Sequence, residues 1–260
     1  MHQRTVGLDS TVHSIIPHSF NFPCQEQANR CVKASFANCP LSDRKLFSQS
    51  ACILPISIMA TKEFEERENR RFKATMQLVS ASFKSCVLLV GDTLYRHTLR
   101  IDYPDEDELR LYQRAKKLGD LWIARHQGAY QQSTMPFKLK RWDDYLSHPK
   151  FSEEYAQVSK LYEVDQEYQK AMHANIEEYL KRYINQLGQM NFDYQQAFFA
   201  CVAYLKEECA VMCLWAAEGY RFEVYPSGRC AAMAATYAQL IQPHYPTLLK
   251  PVGIRFKKRA

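Results

Sequence analysis

The feature that most restricts the fold is a change of hydrophobic period within about forty residues. Cys52-Ile-Leu-Pro-Ile-Ser-Ile58 is short, apolar and flanked by polar segments, the pattern of a buried strand. Between Thr61 and Phe83 the period becomes helical. Phe72, Met76, Val79 and Phe83 recur at i, i+4, i+7 and i+11, and Glu63, Glu65 and Glu66 occupy the opening turns, where the helix dipole favours acidic side chains. Cys86 to Val90 then reads as a second buried strand, closed by Gly91-Asp92. Strand, helix and strand at this spacing form a βαβ unit, which demands a parallel sheet with helices on its faces. Pro55 lacks the N–H that a ladder needs, so it predicts an edge, a bulge or the strand's end.

The first 45 residues contain three prolines and little periodicity, and read as an irregular N-terminal extension. Residues 46–260 then form a single domain. Beyond Pro104 a polar helix is expected, with Leu111, Ala115 and Leu118 on one side, Arg110, Arg114 and Lys117 on a neighbouring one, and Gly119 as an interruption. Residues 150–191 predict one or two exposed helices, and Phe198 to Trp215 a buried one capped near Gly219. Arg221 to Tyr225 alternates, placing Phe222 and Val224 on one face and Glu223 and Tyr225 on the other. Ala231 to Ile241 predicts a last helix before a basic C-terminus.

The net charge of +6 is unevenly spread. Residues 70–141 hold fourteen basic and seven acidic side chains, and 142–223 reverse that ratio. Such asymmetry points either to a polyanion footprint on one part of the surface or simply to solvated faces. The start has no continuous apolar core of a signal, and no apolar run reaches the ~20 residues of a membrane span. A cytoplasmic protein with reduced thiols is expected, since nine cysteines are an odd number and a chain this long needs no staples. No metal is predicted: Cys24, Cys31 and Cys39 with His18 lack the close spacing of a zinc knuckle. Cys209 and Cys213, one helical turn apart, read as small buried apolar residues.

The sequence lacks a G-x-S-x-G elbow, a P-loop, G-x-G-x-x-G and H-E-x-x-H, which disfavours the common hydrolase, NTPase, dinucleotide and zinc-protease chemistries. Three candidates are left. Ser57 ends the first strand, and ligands of open parallel sheets bind beyond the carboxyl ends of strands, although a buried Ser is also a common backbone-bonded filler. Tyr204 and Glu208 share one face of the buried helix, as a functional pair or as a plain Tyr–Glu hydrogen bond. Tyr225 is fixed by Pro226, as an active phenol or as a core aromatic with its hydroxyl at the surface.

In order and spacing, these pieces resemble the tRNA-dependent cyclodipeptide synthases over roughly residues 50–245. The matching elements are Ile53-Leu-Pro-Ile-Ser57, CVLLVGDTLYRHTLR from Cys86 to Arg100, the Arg/Lys helix with its Gly119, Tyr204-x-x-x-Glu208, and Val224-Tyr-Pro-Ser-Gly228. Ala60 stands three residues after Ser57 and Pro226 follows Tyr225, which resembles the group that lacks an Asn at the first position and carries Tyr-Pro at the second. Pro55 departs from the better-known group, which has Gly there.

The resemblance implies an α/β fold, a Rossmann-like parallel sheet with helices on both faces, similar to the catalytic domain of the class I tyrosyl- and tryptophanyl-tRNA synthetases. It implies no ATP chemistry and no cofactor, in keeping with the absence of HIGH and KMSKS. Substrates would be two aminoacyl-tRNAs, with no DNA or membrane partner and a monomeric enzyme. Ser57 would carry the acyl group, Tyr204 and Glu208 would hold the α-ammonium, and Tyr225 would relay a proton. Arg110, Arg114 and Lys117, with Arg96 and Arg100, would contact acceptor-stem phosphates. Glu223 shares a strand face with Tyr225 and would line an amino-acid pocket with Ile53, Pro55 and Val211, unless it is a solvated carboxylate. The competing classes are a non-catalytic tRNA-binding protein on a synthetase-like fold and a Ser hydrolase acting on simple esters.

Overall fold

The βαβ unit read from the sequence is the middle of the sheet. The computed structural model describes residues 32–58, 62–187, 193–226 and 228–258. In chain order the elements are β1 (Val32–Ala37), α1 (Leu41–Arg44), β2 (Ala51–Ser57), α2 (Lys62–Ser80), β3 (Ser85–Gly91), α3 (Arg96–Asp102), α4 (Glu108–Gln131), β4 (Phe137–Arg141) and α5 (Trp142–Leu146). They continue as α6 (Phe151–Val164), α7 (Gln166–Leu187), α8 (Tyr194–Ala217), β5 (Phe222–Tyr225), α9 (Ala231–Thr236) and β6 (Lys250–Lys258).

The six strands lie in the order β1-β6-β5-β2-β3-β4. All neighbours are parallel except β1 and β6. Period-2 alternation sends each strand's side chains to two cores. Cys52 and Leu54 of β2, Cys86, Leu88 and Val90 of β3, and Phe222 and Val224 of β5 pack with Phe72, Met76 and Val79 of α2 and Trp122 of α4. Ile53, Val87 and Leu89 point the other way, onto Val211 to Ala216 of α8 and Trp142 and Tyr145 of α5. Helices therefore cover both faces, as expected of a Rossmann-like sheet.

The structure corrects several expectations. The segment read as an irregular extension contains β1, because Val32–Ala37 supplies an antiparallel edge to β6; residues 1–31, with Cys24, Cys31 and His18, lie outside the described residues. The basic C-terminus is no tail: β6 is an inner strand between β1 and β5. Val252 and Ile254 are buried, whereas Arg255 and Lys257, at the alternate positions, are exposed. Gly119 does not interrupt α4, which runs unbroken from its Asp107 cap, where the carboxylate accepts from Arg110 N–H at 2.9 Å. Helices α6 and α7 are not wholly exposed, since Val158, Tyr168, Met172, Ile176 and Leu180 are buried against α8. Strand β4, FKLKR, escaped the sequence reading because its alternating lysines at the sheet edge look like loop.

Pro55 sits inside β2, paired with Leu89 of β3. On its other side the β5 ladder stops at Ile53. The β5 ladder thus ends two residues before Pro55, so its absent N–H costs no bond on that side.

Candidate active site at the carboxyl ends of β2 and β5

Chain order reverses between β2 and β5: the path leaves β2 for β3 on one side and returns to β5 on the other. A crevice beyond the carboxyl ends at such a switch is where open α/β sheets bind ligands. Ser57 is the last residue of β2, in register with Gly91, and is exposed. The filler reading required it to be buried. By strand alternation Ile53, Pro55 and Ser57 share the sheet face turned to α8, and so do Glu223, which is in register with Ile53, and Tyr225.

Helix α8 is apolar nearly all round and lies between two cores, as a buried helix must. It begins at the Asp193 cap, which accepts from Gln196 N–H at 3.0 Å. Tyr204 is partly buried and packs against both cores. Burial raises its phenol well above the ordinary tyrosine range, with the neighbouring Glu208 and Tyr225 adding to the effect. The Glu208 carboxyl is pushed up to about 7, first by burial and then by the negative charge of Glu223. Tyr204 and Glu208 lie one turn apart on α8, and Glu223 and Tyr225 lie on the strand face turned to that helix. Val211 and Ile53 lie in the adjoining core.

Glu223 is not solvated. It is buried, and its Oε2 accepts from Arg229 Nε at 2.8 Å. Sequence reasoning missed Arg229, although a buried carboxylate calls for a cation and this one lies only six residues on.

Gly119 is needed for a different reason from the one its helix suggested. A Cβ there would come within 2.6 Å of Asp92 Oδ2. Asp92 is buried and accepts from Arg141 Nε at 2.5 Å, while Arg141 Nη1 reaches Asp120 at 2.6 Å. This network locks the ends of β3 and β4 against α4, beside Gly91.

The expected RNA-facing cations divide. Arg110 is well exposed, with Asp107 at 3.3 Å; Arg114 pairs with Glu106 at 2.7 Å and stacks over Tyr103; and Lys117 is exposed with no ion-pair partner among the described residues. Arg96 is tied into a buried network. Its guanidinium is mostly buried and donates to both oxygens of Glu207, at 2.8 and 2.6 Å, as well as to Glu108. Glu207 is buried and also accepts from Trp142 Nε1 at 2.8 Å. Arg100 is held by Glu108 at 2.8 Å. Both arginines line an open cleft of about 670 Å³ between α3 and the first turns of α8, with Phe199 on its wall.

Among the described residues no helix is long and apolar enough to cross a membrane. Ala60 lies outside the described residues.

A parallel sheet covered on both faces by helices, with an exposed Ser57 at its switch point on the face covered by the helix of Tyr204 and Glu208, defines a Rossmann-like α/β protein. No family model and no curated protein matches the sequence. Solved structures do. A cyclodipeptide synthase from Fluoribacter dumoffii is 46% identical, with a TM-score of 0.83 over 89% of this chain and all of that one. The chain therefore belongs to the cyclodipeptide synthase family. A cyclodipeptide synthase from Candidatus Glomeribacter gigasporarum, solved bound to Phe-tRNA, shares the fold at 18% identity and TM-score 0.64, over 78% of this chain and 86% of that one. A Mycobacterium tuberculosis protein, described as demonstrating the relation of these enzymes to type I tRNA synthetases, shares it at 9% identity and TM-score 0.54, over 92% of this chain and all of that one.

Proposed function

We propose that this protein joins two aminoacyl-tRNAs into a cyclic dipeptide through a covalent ester on Ser57, as a member of the group carrying Tyr-Pro after the second tyrosine. The observation that carries the reading is Ser57 itself: an exposed hydroxyl at the carboxyl end of β2, on the sheet face that also bears Glu223 and Tyr225.

In the first step Ser57 Oγ attacks the ester carbonyl of one aminoacyl-tRNA. The bond to the ribose oxygen breaks, and that oxygen leaves with the proton that Ser57 gives up. Tyr204 and Glu208 hold the α-ammonium; a carboxyl that titrates at about 7 can accept its proton near neutral pH and free the amine. The amine then attacks the ester carbonyl of a second aminoacyl-tRNA; the bond to its ribose oxygen breaks, the second tRNA leaves with a proton on that oxygen, and the peptide bond of a dipeptidyl-Ser57 is formed. The remaining free amine attacks the Ser57 ester carbonyl, closes the six-membered ring and releases the Ser57 hydroxyl. Tyr225 relays the proton. Ile53, Pro55, Val211 and Glu223 line the amino-acid pocket. Arg110, Arg114 and Lys117 contact acceptor-stem phosphates, with Arg100 at the flank.

Incubating the protein with charged tRNAs should release a dipeptide lighter by one water, detected by mass, and Ser57→Ala should abolish it. Product formation by a folded Ser57→Ala variant would end the covalent mechanism. Absence of product across all aminoacyl-tRNAs, with tRNA still bound, would favour the non-catalytic alternative.

A further inference from the structure

Helix α8 carries both Tyr204 and Glu208, yet its apolar packing leaves its rotation loosely set. Its contacts run nearly all round, to one core through Cys201, Val202, Leu205 and Cys209 and to another through Val211 to Ala216. Many of these side chains are small, and apolar surfaces that lack directional bonds can repack in more than one setting. A helix of this kind has no single wet face to fix its rotation about its own axis.

Glu207 supplies the missing direction. Among the described residues it is the only buried charged side chain of α8, at 4% exposure. Its Oε1 accepts from Arg96 Nη1 and from Trp142 Nε1, each at 2.8 Å. Its Oε2 accepts from Arg96 Nη2 at 2.6 Å and faces His97 Nε2 at 3.3 Å. A carboxylate offers about four acceptor positions, so this one is filled. The donors are themselves anchored to the sheet. Trp142 directly follows β4, and its backbone N–H donates to Asp92 at 3.3 Å, just past the end of β3. Arg96 opens α3 and also donates to the Thr93 carbonyl and to Glu108, each at 2.9 Å. A planar guanidinium fork and an indole N–H, meeting one carboxylate from two elements, allow it one orientation. Glu207 and Glu208 are adjacent in the chain and point about 100° apart around the helix, and Tyr204 lies one turn before Glu208. Fixing Glu207 therefore fixes the aim of the other two.

We propose that Glu207, Arg96 and Trp142 are positioning residues for the proposed reaction: their clamp sets the rotation of α8, and with it the aim of Tyr204 and Glu208 toward the carboxyl ends of β2 and β5. The inference rests on Tyr204 and Glu208 holding the substrate amine. Functional groups work only within about 0.5 Å and 10–20° of their productive geometry, so a small turn of the helix is enough to disable them.

The test replaces the clamp without leaving a buried charge alone. Arg96→Met/Glu207→Met puts apolar chains of similar length in place of the pair, an exchange that folded proteins commonly tolerate. The crystal structure of the variant should show α8 turned by about 10–20° or more, and kcat/KM for cyclic dipeptide formation should fall about 100-fold. Adding Glu208→Gln to the variant should cost little further, whereas in the wild-type background it should cost about 100-fold or more. A loss caused only by a weakened fold would add to that of Glu208→Gln instead of absorbing it. Helix α8 at its wild-type setting in the variant, or additive losses, overturns the proposal. If the double variant does not fold, Trp142→Phe removes one donor alone and enters the same cycle, with a smaller loss expected; additive losses there overturn the proposal too. The helix setting is read whether or not product forms. A wild-type protein that makes no cyclic dipeptide therefore refutes the proposed reaction, while the rotation of α8 still decides the clamp.

Discussion

Replacing Arg96 by Ala separates two roles that the sequence leaves superimposed. In the structure its guanidinium grips both oxygens of Glu207, whose side chain is only 6% exposed. Burial alone would make that carboxyl a weaker acid, but the hydrogen bonds of His97 and Arg96 outweigh it and hold it at about 2, against an ordinary 4.5. At about 1.4 kcal/mol per tenfold change in acidity, the network stabilises the folded state by about 3 kcal/mol at neutral pH. The loss expected from breaking a buried pair, about 3–5 kcal/mol, agrees. For a chain of this size that lowers Tm by about 6–12 °C. The sign follows from the depressed value: the contribution is complete above 4.5 and disappears as pH falls toward 2. Urea unfolding followed by tryptophan fluorescence should therefore separate Arg96→Ala from wild type widely at pH 7 and less at pH 3.5, with specific tRNA affinity at low salt unchanged in the folded variant. A variant within about 1 kcal/mol of wild type at pH 7 that binds tRNA more weakly would refute the reasoning and return Arg96 to the RNA-facing ridge.

Replacing Arg110, Arg114 and Lys117 together by Ala should weaken tRNA binding and reduce its slope against log salt by about 3; a filter-binding series from low to high salt decides, and an unchanged slope removes the ridge from the interface. Gly119→Ala would press a methyl into Asp92 and Arg141, with an expected loss of about 1–3 kcal/mol in urea unfolding and impaired activity through displacement of the β3 end. Because the Glu208 carboxyl is raised to about 7, its contribution to folding is complete below the unfolded value and is lost as pH rises through 7. Glu208→Gln should accordingly be more stable than wild type at pH 8 and similar at pH 4, while losing cyclic dipeptide formation; equal stability at both pH values would refute the burial argument.

The parts legible in the sequence were those set by local period and spacing. Alternation in β2, β3 and β5 and the helical stripe of α2 follow from side-chain geometry along one element, so the βαβ unit, the faces of Phe222 and Glu223, and Ser57 at a strand end could all be read directly. The i, i+4 spacing likewise joined Tyr204 to Glu208 before any tertiary contact was known. Charge alone does not reveal its partners: Arg96 is matched by Glu207, 111 positions away, while Arg110 and Arg114 meet Asp107 and Glu106, close by in sequence just before α4.

Sheet membership at the two ends was decided only in three dimensions. Val32–Ala37 and Lys250–Lys258 carry no strong strand signal alone; the first becomes a strand against the second, and the second because β1 and β5 flank it. The same holds for Glu223: the sequence fixes which strand face it occupies, but whether that face is wet or dry depends on α8 and on Arg229 folding back over it. Pattern along the chain specifies direction and period, since those are properties of one backbone segment. Burial, pairing and the charge state of a carboxyl belong to the segments that surround it, and those meet only when the chain is folded.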